Sequence, residues 1–274
     1  MIATINGRTA TVLSFVRLKL ELEASVEDLL DRYRTGSPYP HHVLDNLFPS
    51  EMLDALLEEL PPSSSEKWVH ERHERFVKSN LRSAADLGDQ AFEFVSNLHS
   101  AAFLYFLSEI TGIKALLPDP YLSGAGYHVV PEGGKFDVHA DRNTDHNSGL
   151  ERRLAMLIYL NKDWKPEYGG QLELWNQEGT QCEKVIDPIF NRTVIFEVGD
   201  KNFHGVRPVI GGHGIMRRSF AAYFHSVNKD LKIHNSIYAP KIYQDKVPLM
   251  KRVAREALPP ILFRALKGLK GGNY

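Results

Sequence analysis

Lys135-Phe-Asp-Val-His-Ala-Asp141 is the stretch on which the reading of this chain turns. Apolar and polar residues alternate from Lys135 to His139. That is the period of a half-buried strand, in which residues i and i+2 share a face. His139 and Asp141 therefore point the same way, provided the strand runs to its last residue. An imidazole nitrogen and a carboxylate oxygen on one face make half of a metal site. The pair alone also suits a structural histidine beside an acid, so its weight depends on its surroundings. Asp137 shares the face of Asp141 and competes with it as a carboxylate ligand.

Further along, Gly199-Asp-Lys-Asn-Phe-His-Gly-Val206 is a turn followed by another histidine, His204. Two histidines and one carboxylate, with open positions left for other ligands, form the facial triad of non-haem Fe(II) sites. The stretches around them alternate and are broken by Gly, Pro and Asn. Eight short strands are predicted, at 126–130, 135–140, 153–160, 171–176, 183–187, 192–198, 203–208 and 216–225. They fit a double-sheet jelly roll, a mainly β fold with helical support. Arg142 to Glu151 is a polar loop directly after the ligand pair; it borders a substrate entrance or is simply solvated.

Upstream, Ile2 to Ile5 and Thr9 to Phe15 read as strands around a tight Asn6-Gly7 turn. Ser25 opens an amphipathic helix, with Asp28 at the capping-box position. Residues 39 to 48 are extended, and a second helix runs from Pro49-Ser50 to Leu60, before Pro61-Pro62. Ser63 to Asn80 is polar and mixed. Asp86 to Thr111 carries Phe92, Val95, Leu98, Leu104 and Leu107 at helical spacing, enough for one helix or two, packed as support against a sheet.

Apolar residues are 43% of the 274, ample for a core, and the net charge of −1 gives no argument for nucleic acid. That total hides an asymmetry: residues 241 to 274 carry a net of +6. Two short amphipathic helices are expected there, from Val247 and from Ile261, broken by Pro259-Pro260. They cover the core or another subunit of a homodimer, or dock an acidic partner; the packing reading is the simpler. Cys182 is the single cysteine, so no internal disulfide forms. Met1 to Arg8 lacks the basic start and apolar run of a signal peptide, and no segment has the length of a membrane span. A cytoplasmic protein is expected.

Arg153-Leu-Ala-Met-Leu-Ile-Tyr-Leu-Asn-Lys-Asp-Trp164 is followed by Gly169-Gly-Gln-Leu-Glu-Leu-Trp175. Asn191-Arg-Thr-Val-Ile-Phe196, His204-Gly-Val-Arg-Pro-Val209 and Arg217-Arg-Ser-Phe-Ala-Ala-Tyr-Phe224 come next. With His139-Ala-Asp141, these strings closely resemble, in order and spacing, the prolyl 4-hydroxylase-like branch of the Fe(II)/2-oxoglutarate-dependent dioxygenases. The resemblance spans roughly residues 120 to 226. It implies a double-stranded β-helix (jelly roll, cupin-like). It implies Fe(II) on His139, Asp141 and His204, the family spacing favouring Asp141 over Asp137. The distal carboxylate of 2-oxoglutarate falls to Arg217 and Tyr159. Arg153 matches a basic residue near the entrance.

The same resemblance implies hydroxylation of an unactivated C–H bond, with O2 consumed, succinate and CO2 released, and ascorbate as a stimulant. The substrate it implies is prolyl or peptidyl, or a small metabolite. A non-enzymatic jelly-roll module binding a metal or a sugar is the alternative, against which Arg217 and Tyr159 speak. The implied organisation is N-terminal strands and supporting helices over 1–118, a catalytic core over 119–226 and a basic helical extension over 227–274.

Strand parity supports these roles independently. Arg217, Ser219, Ala221 and Tyr223 share one face, an arginine beside small side chains with room for a ligand. A guanidinium grips a carboxylate through paired hydrogen bonds. A register slip by one residue would hand the role to Arg218. On strand 153–160, Arg153, Ala155, Leu157 and Tyr159 share a face. His128, His146, His213 and His225 are read as structural or solvated, Cys182 has no nucleophilic role, and Trp175 and Tyr223 either line the pocket or pack.

Overall fold

Asn6-Gly7 stands between β1 (Ile2–Ile5) and β2 (Arg8–Thr11), which pair antiparallel with Ile5 opposite Arg8. A computed structural model describes residues 2–5, 8–11, 25–81, 84–210, 214–228 and 230–243. Met1–Ile242 form one compact unit. The two helices expected after Val247, and His213, lie outside the described residues.

Helix α1 (Val26–Arg34) begins as its sequence directs. Ser25 Oγ accepts from the Asp28 amide, and the Asp28 carboxylate accepts from the Ser25 amide, a capping box closed by Asp in place of Glu. The extended run after Tyr39 becomes β3 (His41–Asp45), and α2 spans Ser50–Glu58. The polar stretch 63–80 holds two strands that its composition hides, β4 (Val69–Arg72) and β5 (Val77–Leu81). The outer one, β4, is mostly solvent-exposed, so it carries no apolar alternation to be read. The long helical stretch is two helices, α3 (Asp89–Leu98) and α4 (Ala101–Thr111). Ser100 separates them by capping the Phe103 amide, and Gly112 at φ +75° ends the second. Phe92 projects into solvent, while Val95, Leu98 and Leu107 are buried.

The eight strands expected after Pro120 follow as β6 (Gly126–Pro131), β7 (Phe136–Ala140), β8 (Glu151–Tyr159) and β9 (Leu172–Trp175), then β10 (Cys182–Ile186), β11 (Arg192–Glu197), β12 (His204–Val206) and β13 (Met216–Ser226). A two-residue strand, β14 (Ile237–Tyr238), comes last. They form two antiparallel sheets. The larger has the order β3-β11-β8-β13-β6-β5-β4 and the smaller β10-β9-β12-β7-β14. The central four of the one, β11-β8-β13-β6, and the first four of the other, β10-β9-β12-β7, are the double-stranded β-helix. β3, β5 and β4 extend the larger sheet and β14 the smaller.

Two cores result from the alternation along β8 and β13. Leu154, Met156, Ile158, Phe220, Ala222 and Phe224 face the helices, where Phe220 meets Phe94 edge-on and Phe224 meets Phe103. Each of the Leu, Met, Ile and Phe side chains among them contributes about 1.5–3 kcal/mol on burial. The opposite face carries Ala155 and Tyr159, which pack with Leu172, Leu174 and Ile186 of the smaller sheet. Small residues on this inner face leave space between the sheets, and the polar residues of the chain's centre gather there. Among the described residues, no helix is long and apolar enough to cross a membrane.

Candidate metal centre

His139 is the penultimate residue of β7, and Asp141 stands one residue past the strand's end. His204 opens β12 and lies directly opposite His139 in the ladder. Their ring centroids are 4.4 Å apart. Nε2 of His139 is 3.3 Å from Oδ1 of Asp141, and Nε2 of His204 is 3.8 Å from Oδ2. One donor atom from each of the three residues lies within 4.8 Å of the others, with both histidines buried.

The two histidines are oriented in the same way. Nδ1 of His139 donates to the Asp137 carbonyl at 2.8 Å, and Nδ1 of His204 to the Asn202 carbonyl at 3.2 Å. A proton held at Nδ1 leaves the Nε2 lone pair directed at the carboxylate, which is how a neutral imidazole is prepared for a metal. Burial, reinforced by His139, lowers the pKa of His204 to about 4 against the pull of Asp141. Burial pushes the Asp141 carboxyl up, but His204, His139 and Arg152 outweigh it and hold the group well below the usual carboxylate range. Two imidazoles that present Nε2 and one ionised carboxylate are a donor set that suits Fe(II). Asp137 is otherwise engaged, 3.2 Å from Lys135 Nζ and 3.7 Å from Arg75.

Tyr159 and Arg217 meet deeper between the sheets. Register places Ser219 opposite Tyr159, so Arg217, two residues earlier, shares its inner face. Arg217 is 3% exposed, whereas Arg218 is half-buried on the other side. The Arg217 guanidinium lies 4.9 Å from the Tyr159 ring centroid, with Nη2 3.3 Å from the hydroxyl and Nε donating to the Gly170 carbonyl at 2.7 Å. Gly170 has φ +67°, and a Cβ there would stand 3.1 Å from both Arg217 Cδ and Trp164 Cζ2. Glycine thus permits the close approach that fixes this arginine. Among the described residues, Arg217's hydrogen bonds go to neutral oxygens alone. A buried cation without an anion is costly unless a ligand supplies one. Burial lowers its pKa, while Tyr159 pulls it back up.

Tyr223 completes the inner row of β13. Its hydroxyl donates to Asp141 Oδ2 at 3.1 Å, so it touches a ligand and is more than packing. Burial first, then Asp141, push the phenol up and keep it a donor. The Arg152 guanidinium covers its ring at 4.3 Å. The resemblance in the sequence matched Arg153 to a basic residue near the entrance. A bulge shifts the pairing of β13 with β8 between Phe224 and His225, setting His225 opposite Arg152 and leaving Arg153 without a partner in the ladder. Arg152 is thereby carried to the Tyr223 side, and Arg153 pairs with Glu197 at 2.7 Å. The loop after Asp141 is packed, with Asn143, Thr144 and Asp145 buried. On the other flank, Phe136 stacks on His139 at 4.0 Å and Tyr238 of β14 lies 5.6 Å from it, beneath Arg75. No sequence signal marked Arg75 or Tyr238. His225 is buried beside Asp119, and Trp175 donates to Glu173.

Residues 125–225 match the model of the 2OG-Fe(II) oxygenase superfamily, and this span contains all three candidate ligands. Over that span the chain is similar to that superfamily. Over 197 residues the chain is 28% identical to mouse prolyl 3-hydroxylase OGFOD1, a match covering 69% of the chain and 33% of the mouse protein. The chain thus spans about a third of that relative's length. A prolyl-4-hydroxylase of Pseudomonas putida superposes with a TM-score of 0.52 at 18% identity, covering 74% of this chain and all of that one (100%). A 2OG-Fe(II) oxygenase of Burkholderia pseudomallei gives 0.52 at 14% identity, covering 75% and 93%. The two structures show that the fold is shared.

Proposed function

We propose that this oxygenase hydroxylates an unactivated C–H bond, with His139, Asp141 and His204 holding Fe(II) and Arg217 and Tyr159 holding the distal carboxylate of 2-oxoglutarate. The reading is carried by one juxtaposition. A two-histidine, one-carboxylate set faces the same space between the sheets as a buried arginine that has only neutral partners. Bound Fe(II) supplies the oxidising chemistry, in which O2 and 2-oxoglutarate yield succinate, CO2 and a hydroxylated product.

The chain's own part is to bind, orient and keep water out. Arg217 and Tyr159 offer a guanidinium and a hydroxyl to one end of a dicarboxylate, at the closed end of the space. The Nδ1 hydrogen bonds of His139 and His204 hold both rings in the tautomer that presents Nε2. Three protein donors would leave Fe(II) able to take co-substrate and oxidant. Ascorbate would serve to keep the metal reduced. A prolyl or peptidyl target is supported by the mouse relative's own designation as a prolyl 3-hydroxylase, and a small metabolite is the other target we propose.

The test is 2-oxoglutarate turnover against a panel of prolyl peptides and free metabolites, followed by mass spectrometry for a gain of one oxygen. Succinate release that requires both Fe(II) and O2, coupled to such a product, supports the proposal. Metal binding with no turnover under any condition would instead favour a jelly roll that only binds.

A further inference from the structure

We propose that Tyr223 is a positioning residue of the metal centre: its hydroxyl fixes the Asp141 carboxylate, holding one oxygen so that the other is left for the metal. The inference rests on the assignment of His139, Asp141 and His204 as ligands. Asp141 needs such an anchor more than either histidine does. Both rings sit on strands and are pinned through Nδ1 to the carbonyl two residues earlier. Asp141 lies beyond the last residue of β7, where no ladder pairing restrains it. Among the described residues its carboxylate has three near partners, His139 at 3.3 Å, His204 at 3.8 Å and the Tyr223 hydroxyl at 3.1 Å. The first two are themselves ligands, so Tyr223 is the partner that can hold Asp141 without competing for the metal.

The tyrosine is itself held for this role. It stands on β13 opposite Ala155, a small residue that leaves its ring room on the inner face. The bulge that follows immediately turns Arg152 onto that ring, and Arg152 is tied in turn to the Ser123 carbonyl. A cation over one face of the ring and strand pairing behind it restrict the phenol to few orientations. Arg217 and Tyr223, six residues apart on one strand face, are separated by roughly 20 Å at strand rise. A single strand thereby sets both the anchor of the co-substrate's far end and the anchor of the carboxylate ligand. A hydrogen bond to the free oxygen of a ligating carboxylate orients it and is worth roughly 10–100-fold in metal affinity.

The experiment compares Tyr223→Phe with the unaltered protein for Mn(II) and Fe(II) affinity under anaerobic conditions, with metal-free melting temperature and 2-oxoglutarate affinity at saturating metal alongside. The expected result is metal binding weaker by roughly 10–100-fold, with the other two readings close to those of the parent. Tyr223→p-aminophenylalanine, which keeps a donor on the ring, should recover most of the loss, and decides the matter if the phenylalanine variant folds poorly. Metal affinity within twofold of the parent in a folded phenylalanine variant overturns the inference. So does equal weakening by both substitutions. Failure of the parent protein to bind either metal is a different result, and it removes the ligand assignment itself.

Discussion

Arg217 shows how one residue's surroundings define its task. A guanidinium with no anionic partner among the described residues, buried between two sheets, contributes little to the stability of the ligand-free chain. Its value lies in what it binds. Arg217→Ala should weaken 2-oxoglutarate by about 2–5 kcal/mol, roughly 30- to 5,000-fold, because the far carboxylate loses its charged partner. Metal affinity measured without 2-oxoglutarate should change little, since Arg217 touches none of the three candidate ligands. Calorimetric titration of each ligand separately checks this, and equal loss of both would indicate damage to the fold. This residue was legible in the sequence through the resemblance of its surrounding string, with strand parity as support that left Arg218 open, and its pairing with Tyr159 came from the same resemblance. Arg152 was not legible, because parity counts assume an uninterrupted ladder and the bulge beside Arg153 breaks it.

At the scale of elements, the central strands announced themselves, and those at the margins did not. β8 and β13 are buried on both faces, one against the helices and the other against the smaller sheet, so they read as apolar runs. β4 and β5 are short, charged and near the sheet edge, where pairing is made by the backbone and side chains carry little of the pattern. β3 joins β11 through a sequence, His41-His-Val-Leu-Asp45, whose two histidines look solvated but are buried. His42 donates from Nε2 to the Ile110 carbonyl near the end of α4, tying the strand to that helix. Burial lowers its pKa to about 4, the Ile110 carbonyl opposing.

The consequence for stability has a definite sign. Between about pH 6.5 and 4 the unfolded chain takes up a proton at His42 that the folded chain refuses, so stability falls as pH falls through that window and is level above it. The contribution is roughly 2 kcal/mol between pH 7 and 5. Urea unfolding of the metal-free protein at those two pH values should show this loss. His42→Gln, which keeps an amide donor for Ile110 and cannot titrate, should remove about that much of it. An unchanged pH dependence in the glutamine variant would mean that His42 is not buried as a neutral ring.

Taken whole, the molecule is a double-stranded β-helix whose larger sheet is lengthened by strands from the N-terminal third and whose smaller sheet gains β14 beside His139. The metal centre depends on that assembly. His139 and Asp141 come from the end of β7, His204 from β12 across the ladder, Tyr223 and Arg217 from β13 of the facing sheet, and Tyr159 from β8 beside it. The sequence carried this order through the strings that resemble the dioxygenases, with period-two alternation as support on β8 and β13. It did not carry the flanking aromatic stack of Phe76, Phe136 and Tyr238, which draws on segments far apart in the chain and on no local motif. The central claim is that these pieces meet to bind Fe(II) and 2-oxoglutarate together. The most direct measurement is the visible spectrum of the protein titrated anaerobically with both. A weak charge-transfer band of a metal-chelated 2-oxo acid should appear, saturate at one equivalent per chain and vanish in Asp141→Ala; folded protein that shows no band at saturating concentrations of both contradicts the account.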